Sequence, residues 1–588
     1  MASLAMRYVV FITLLLGSLV AGQASYPELP PQYLLTTTPV TPLPQGFPWG
    51  GKTANNTNAY PPHTGVIRAY DFAITRGWAA PDGYYKDVML VNNQFPGPLI
   101  EANWGDTIQV TVHNQITAPE EGTALHWHGI LQKDMQWMDG VPGVQQCPIV
   151  PGGSFTYSFL ADLYGTTWYH SHYSGQYAGG VVGPLIIHGP STVTYDTDVG
   201  PIILSDHYHR EYFDIVKDTM STDINKIQLS DNNLINGRNN FDCTKKASGD
   251  TRQCFSNAAT SKFRFYPGKV HRLRLINAGA EATMMFSIDG HTMKVIANDF
   301  VPIIPYDTKV VTLGVGQRTD VLVTGLAGTP APVVMRSYIA ACSLFNQPVA
   351  KAMVYYRTQD AAAAMPNTSP WPEFTSAVAN QCANDALTLT KPWYPITPAA
   401  VPSTTRNVAI NFGQNATGHW LWTMDGSSFR VNYNQPVLLL SKMGNNSYPT
   451  NWNSYNFGSN ATVRIHIQNP GFAAHPMHLH GHNFWVLAEG TGTWDGTTII
   501  NAANPQRRDT QIVRAGGYLV IQTNQDNPGA WPFHCHIAWH VSAGLYITVL
   551  ERPADIANLP IPSIMAQTCR DWAAYTNTTV VDQIDSGL

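Results

Sequence analysis

Charge is scarce in this chain: Lys, Arg, Asp and Glu make up only 12% of 588 residues, and the formal net charge is −5. No run of Lys or Arg appears, so the electrostatic footprint of a nucleic-acid-binding protein is missing. Convincing helical periodicity is also scarce, which argues against a bundle or coiled coil. Long apolar runs are absent except one near the N-terminus, where Arg7 precedes an apolar stretch over 8–19 and small residues follow at Ala21, Gly22 and Ala24. About a dozen apolar residues fall short of the ~20 that span a bilayer, so residues 1–24 read as a secretory signal peptide and no membrane span is expected.

What is abundant points the same way. Hydrophobic residues are 44% and aromatics 11%, with 47 Gly and 42 Pro, enough to build several cores of short strands joined by tight turns. Six glycosylation sequons, at Asn55, Asn367, Asn415, Asn445, Asn460 and Asn577, fit an extracellular route. The seven cysteines are an odd number, and a secreted chain should pair its thiols. Cys535, flanked by His534 and His536, is the natural odd one out, a thiolate metal ligand. The other six allow fifteen connectivities. Cys243 with Cys254 is a plausible local pair.

Alternating or β-branched runs bounded by Gly, Pro and Asn fall at 87–91, 107–112, 180–187, 310–315, 320–323, 462–467 and 546–550, the pattern of strands. The expected fold is all-β, three β-sandwich domains of comparable size. An Ala/Pro/Ser/Thr-rich stretch over 357–372 reads as a linker, and a softer boundary falls near 189–194. The resulting division is 50–190, 191–360, a linker over 361–375, and 376–588 with a C-terminal tail.

Eleven of the 20 histidines fall into four short segments. These are HWHG over 126–129, HSH over 170–172, HPMHLHGH over 475–482 and HCHIAWH over 534–540. Alternate side chains of a strand share a face, so His-x-His aims two imidazoles the same way. Four such pairs supply eight nitrogens, the number suited to a three-metal cluster that keeps positions open for oxygen. The alternation also turns Cys535 away from His534 and His536. His475, Cys535 and His540 then make a two-imidazole, one-thiolate site, which selects copper of the blue type. Leu545 stands at the axial position and cannot coordinate, which predicts a high reduction potential. Zinc has no redox use and seldom needs ten imidazoles. The pair His207-Tyr-His209, and also His291, His419 and His466, are read as structural, without metal.

In these segments, and in NNQFPGPLIEANWGD over 92–106 and WMDGVPGVQQCP over 137–148, the chain closely resembles the multicopper oxidases, and within them the laccases of ascomycete fungi. The resemblance covers most of the mature chain. It implies three cupredoxin-like Greek-key domains of the β-sandwich or barrel type, and four coppers. By motif position, His126 and His478 would bind the type 2 copper. His128, His170 and His536 would bind one type 3 copper, and His172, His480 and His534 the other. His482 would not be a ligand. The resemblance also favours pairing Cys342 with Cys382 and Cys147 with Cys569. It places Asp139 near the type 2 copper as a proton relay, makes His540 the electron entry, and matches Glu281, in NAGAEA over 277–282, to a carboxylate that takes the proton of a phenol. An unperturbed Glu titrates near about 4.3, which would suit a base in mildly acidic surroundings. The final residues DSGL, 585–588, resemble a tail that plugs the channel to the cluster.

The activity implied is one-electron oxidation of phenols coupled to reduction of dioxygen to water, by a secreted monomer. Ascorbate oxidase would require an axial Met where Leu545 stands. Ferroxidases of fungi typically carry a C-terminal membrane helix, which is not seen here. A non-catalytic copper carrier would need the blue site alone.

Overall fold

The computed structural model describes residues 61–379 and 382–588. The expected signal peptide and the Asn55 sequon lie outside the described residues. The strands follow directly from the alternation in the sequence. Thr107–Asn114, for example, buries every second residue, with Ile108, Val110 and Val112 wholly inside.

Among the described residues the strands assemble into six sheets, two from each successive part of the chain. The first pair lies between Ile67 and His188, the second between Thr197 and Tyr355, and the third between Thr404 and Glu551. Parallel neighbours that are distant in sequence occur in each pair, such as Ile67–Ala79 beside Thr107–Asn114 and Thr404–Gln414 beside Thr462–Asn469. These are the crossings of a Greek-key, cupredoxin-like sandwich. The second pair has its own apolar core around Leu273, Phe286 and Val321. The first and third share one continuous core, which includes Trp127, Trp168, Trp531 and Cys535. The contact between the first and third pairs is therefore as solid as a domain interior, and it is where the histidine segments meet.

The longest helix among the described residues, Ser563–Thr578, carries little amphipathic pattern that a sequence could reveal. Tertiary anchors hold it instead: Trp572 is buried against Tyr173 and Tyr433, and Cys569 is bonded to Cys147. Cys243–Cys254 and Cys342–Cys382 also form, leaving Cys535 free and buried. All three pairings match the sequence-based expectation. Asn367, Asn415, Asn445 and Asn577 are exposed and Asn460 is partly so. Among the described residues no helix is long and apolar enough to cross a membrane.

Candidate metal centre

Strand register brings the histidines together. In the first sheet pair, Leu125–Trp127 runs antiparallel to Gly165–Ser171, with His126 directly opposite His170. In the third, His475–Leu479 runs antiparallel to Gly529–Cys535, with His478 opposite His534 and Met477 opposite Cys535. Paired residues share a face, so the spacing of HPMHLHGH has a simple reading. His478 and His480 have the parity of His534 and His536. His475 has the parity of Met477, and hence of Cys535. One two-stranded ribbon thus presents imidazoles on one face and an imidazole with a thiol on the other.

The glycine after the first pair is obligatory for the approach. Gly129 has φ +77°, and a Cβ there would lie 2.4 Å from Oδ2 of Asp509 and 2.7 Å from Nη2 of Arg318.

On the imidazole face, three groups have ligand atoms within 4.8 Å of one another: His126, His128 and His478; His128, His170 and His536; and His172, His480 and His534. Nδ1 of His126 donates to the carbonyl of Asp139 at 2.8 Å, that of His478 to the carbonyl of Asp509 at 2.8 Å, and that of His170 to the carbonyl of Ser171 at 2.9 Å. These bonds fix the tautomer and leave Nε2 as a bare lone pair. Nε2 of His126, His170, His172 and His478 is buried without a hydrogen-bond partner. An unsatisfied buried polar atom costs about 1–3 kcal/mol, so four converging here make sense only as donors to cations. Burial, with the crowding of neighbouring imidazoles, holds His128, His172, His478, His480 and His536 well below the ordinary imidazole range. Burial brings His534 down to about 3. Neutral imidazole is the form that binds a metal.

On the opposite face, His475, Cys535 and His540 form a fourth group. Nδ1 of His475 lies 3.0 Å from Nδ1 of His540, which lies 3.5 Å from Sγ of Cys535. Burial pushes the Cys535 thiol far up and His540 down to about 3. A thiol this buried ionises only if a cation takes the place of its proton. Leu545 is wholly buried, its N–H bonded to the carbonyl of His540 at 2.9 Å, and it offers no donor atom. A His₂Cys set without a thioether, beside eight converging imidazoles, suits copper and no other biological metal as well.

The carboxylates divide. Asp139 is wholly buried, with Oδ2 2.8 Å from Nδ1 of His480 and Oδ1 3.3 Å from Nδ1 of His126. It therefore lies against two of the clustered histidines. Sequence reasoning missed Asp509, whose Oδ1 lies 3.1 Å from Nε2 of His128. The only signal was an acidic residue after two arginines, in RRD over 507–509. His482 is turned away, with Nε2 2.9 Å from Glu551.

Glu281 accepts from the Tyr208 hydroxyl at 3.1 Å, and Tyr208 in turn accepts from the indole of Trp539 at 3.1 Å, the neighbour of His540. Burial and the nearby Asp206 push Glu281 up to about 8. The expectation of an unperturbed acidic titration does not hold for this partly buried carboxyl. The tail residues 585–588 are buried, and Leu588 bounds a small cavity with His170, His172, His534 and His536.

Three domain-family models, each described as multicopper oxidase, match residues 73–192, 198–358 and 403–555. The chain belongs to the multicopper oxidases. Laccase-2 of Botryotinia fuckeliana is 38% identical over 92% of both chains, and laccase-1 of Melanocarpus albomyces is 37% identical over 90% of this chain and 85% of its own. The crystal structure of the laccase from Botrytis aclada superposes with a TM-score of 0.85 at 34% identity, covering 94% of this chain and all of that one. A multicopper oxidase that functions in iron import superposes less well, with a TM-score of 0.76 at 25% identity over 89% of this chain and 98% of its own. This multicopper oxidase is of the ascomycete-laccase type, and the family's cofactors are four coppers, of types 1, 2 and 3.

Proposed function

We propose that this oxidase takes electrons singly from phenols at the His475–Cys535–His540 site and reduces dioxygen to water at the eight-histidine site. The carrying observation is the ribbon with two faces, in which Cys535 sits between His534 and His536 and opposite Met477, so both sites share one strand. His126 and His478 would hold the type 2 copper. His128, His170 and His536 would hold one type 3 copper, and His172, His480 and His534 the other. When bound, the coppers supply storage for four electrons, the number dioxygen needs to become two waters.

The protein's own residues do the rest. Asp139, through its bonds to His480 and His126, keeps both rings aimed inward, and burial raises its carboxyl so that it can hold and pass a proton. An aromatic strip runs from the surface to the type 1 ligands. Phe472 is 81% exposed and its ring lies 6.4 Å from that of Trp422, which is 4.6 Å from the rings of both His475 and His540. Such a strip holds a planar aromatic donor by stacking. Glu281 would receive the phenolic proton, with Tyr208 fixing its carboxyl. The segments 50–190, 191–360 and 376–588 would be the cupredoxin units, joined by a linker over 361–375. Secretion is supported by the N-terminal pattern, three disulfides and the exposed sequons, and the chain would act as a monomer.

Oxygen uptake by the copper-loaded chain with a phenol, ascorbate and ferrous iron in parallel tests the reading. Uptake fastest with the phenol is expected; a clear preference for ferrous iron or ascorbate would displace it.

A further inference from the structure

Away from the copper donors, Asp82, His207 and His209 also place ligand atoms within 4.8 Å of one another. All three are buried, at 0%, 5% and 7% exposure. They come from two sheet pairs. Asp82 precedes the strand Lys86–Val91, and His207 ends the strand Thr197–His207. From spacing alone His207-Tyr-His209 reads as a structural pair, because Asp82 lies 127 positions from His209 and is invisible to a local pattern.

The three side chains are held as metal ligands are held. The Asp82 carboxylate accepts from the Tyr84 N–H at 3.1 Å and from the Asn232 amide at 2.9 Å. Nε2 of His209 lies 2.9 Å from Oδ2 of Asp82. The His209 ring stacks on Tyr84 at 3.8 Å with Phe241 edge-on at 4.5 Å, and its backbone N–H is bonded to Asp231 at 2.7 Å. A simple Asp–His pair would account for Asp82 and His209. It leaves Nε2 of His207 buried with no partner, as is the hydroxyl of Ser205, which borders the same small cavity. Lys86, the nearby cation, is turned away onto the carbonyls of Tyr208 and Arg210 at 2.6 and 3.3 Å.

Two imidazoles and one carboxylate, with room beside His207 for a water as fourth ligand, make a zinc-type donor set. We propose that Asp82, His207 and His209 bind one zinc-class divalent cation that clips the first sheet pair to the second, separately from the four coppers.

The test is zinc(II) titration of the copper-loaded full chain against a chromophoric chelator, with metals counted by mass spectrometry. Wild type should retain one zinc per chain beyond its copper. His207→Ala and His209→Ala should each weaken zinc binding at least about 10–100-fold while the blue absorption persists, showing an intact fold. Zinc retention equal in wild type and variants, or none in wild type, overturns the proposal. Should the variants not fold, anomalous scattering at the zinc edge from wild-type crystals decides. A peak among the three side chains upholds the site, and its absence there overturns it.

Discussion

Asp509 reaches across the core to His128, its Oδ1 3.1 Å from Nε2 of that ring, while Arg318 grips both carboxylate oxygens at 2.7 and 2.6 Å. His128 comes from the first sheet pair, Arg318 from the second and Asp509 from the third, so one carboxylate ties all three to a single imidazole. His128 is left with Nδ1 facing the cluster, 3.2 Å from Nε2 of His536. Removing the carboxylate altogether would leave Arg318 only the longer contact to Asp299 at 3.5 Å as an ion pair, and breaking a buried pair this way costs about 3–5 kcal/mol. Asp509→Asn keeps the shape and loses the charge. It should lower oxygen reduction about 10–100-fold, the usual effect of losing a ligand's supporting bond, with type 2 and type 3 copper depleted and the blue band intact. Copper analysis alongside absorption spectra checks this; full copper content would exclude Asp509 from holding the cluster.

Cys535 is the free cysteine among the described residues, buried within 3.5 Å of Nδ1 of His540. Replacing its sulfur by oxygen removes the soft donor that makes the site select copper of the blue type. Cys535→Ser should abolish the intense visible absorption and phenol turnover together, and lose about one copper per chain. A variant that stays blue would refute the assignment.

Glu281 has a pH signature with a definite sign. Its carboxyl, raised to about 8 by burial and by Asp206, stays protonated in mildly acidic solution and becomes a base only as pH rises through that value. Phenol oxidation should therefore carry a component that grows toward pH 8, and Glu281→Gln should remove it while leaving a non-phenolic electron donor unaffected. The same shift bears on stability. The folded chain holds this proton more tightly than the unfolded chain, whose Glu titrates near about 4.3, so the contribution favours folding at low pH and is lost as pH climbs through about 8. Matched kcat/KM profiles for a phenol and a non-phenol would reveal any loss common to both, which would end the proton-acceptor role.

Much of this centre was legible because local spacing encodes it. The parity of His475 against His478, and of Cys535 against its neighbours, is a property of a strand that can be read residue by residue, as can Val110 and Val112 in their alternation. Asp509 was not legible, because its role exists only when strands more than 300 positions apart meet at His128. The pKa of Glu281 was misjudged for a related reason. Burial and the proximity of Asp206 are tertiary facts, absent from the motif that located the residue. The helix Ser563–Thr578 escaped because Trp572 and the Cys147–Cys569 bond hold it, rather than an amphipathic stripe.

Leu545 is wholly buried on the helix-to-strand connection between His540 and Tyr546, and its carbonyl accepts from the Cys535 N–H at 3.2 Å. Its backbone is thus fixed to two of the proposed type 1 ligands, His540 and Cys535, whatever side chain it carries. Leu and Met differ little in volume, and such an exchange usually costs less than about 1.5 kcal/mol, so Leu545→Met should fold and bind copper normally. What changes is chemistry: a thioether replaces a methyl group beside a His₂Cys site and can donate to the oxidised metal, stabilising it. The type 1 potential should fall, and the axial ligand is one of the levers that sets it. Phenols that are hard to oxidise should slow most, because they depend most on the oxidising strength of that site, while easily oxidised donors change little. A redox titration followed at the blue band measures the shift directly; an unchanged or higher potential would show that residue 545 does not occupy the axial position.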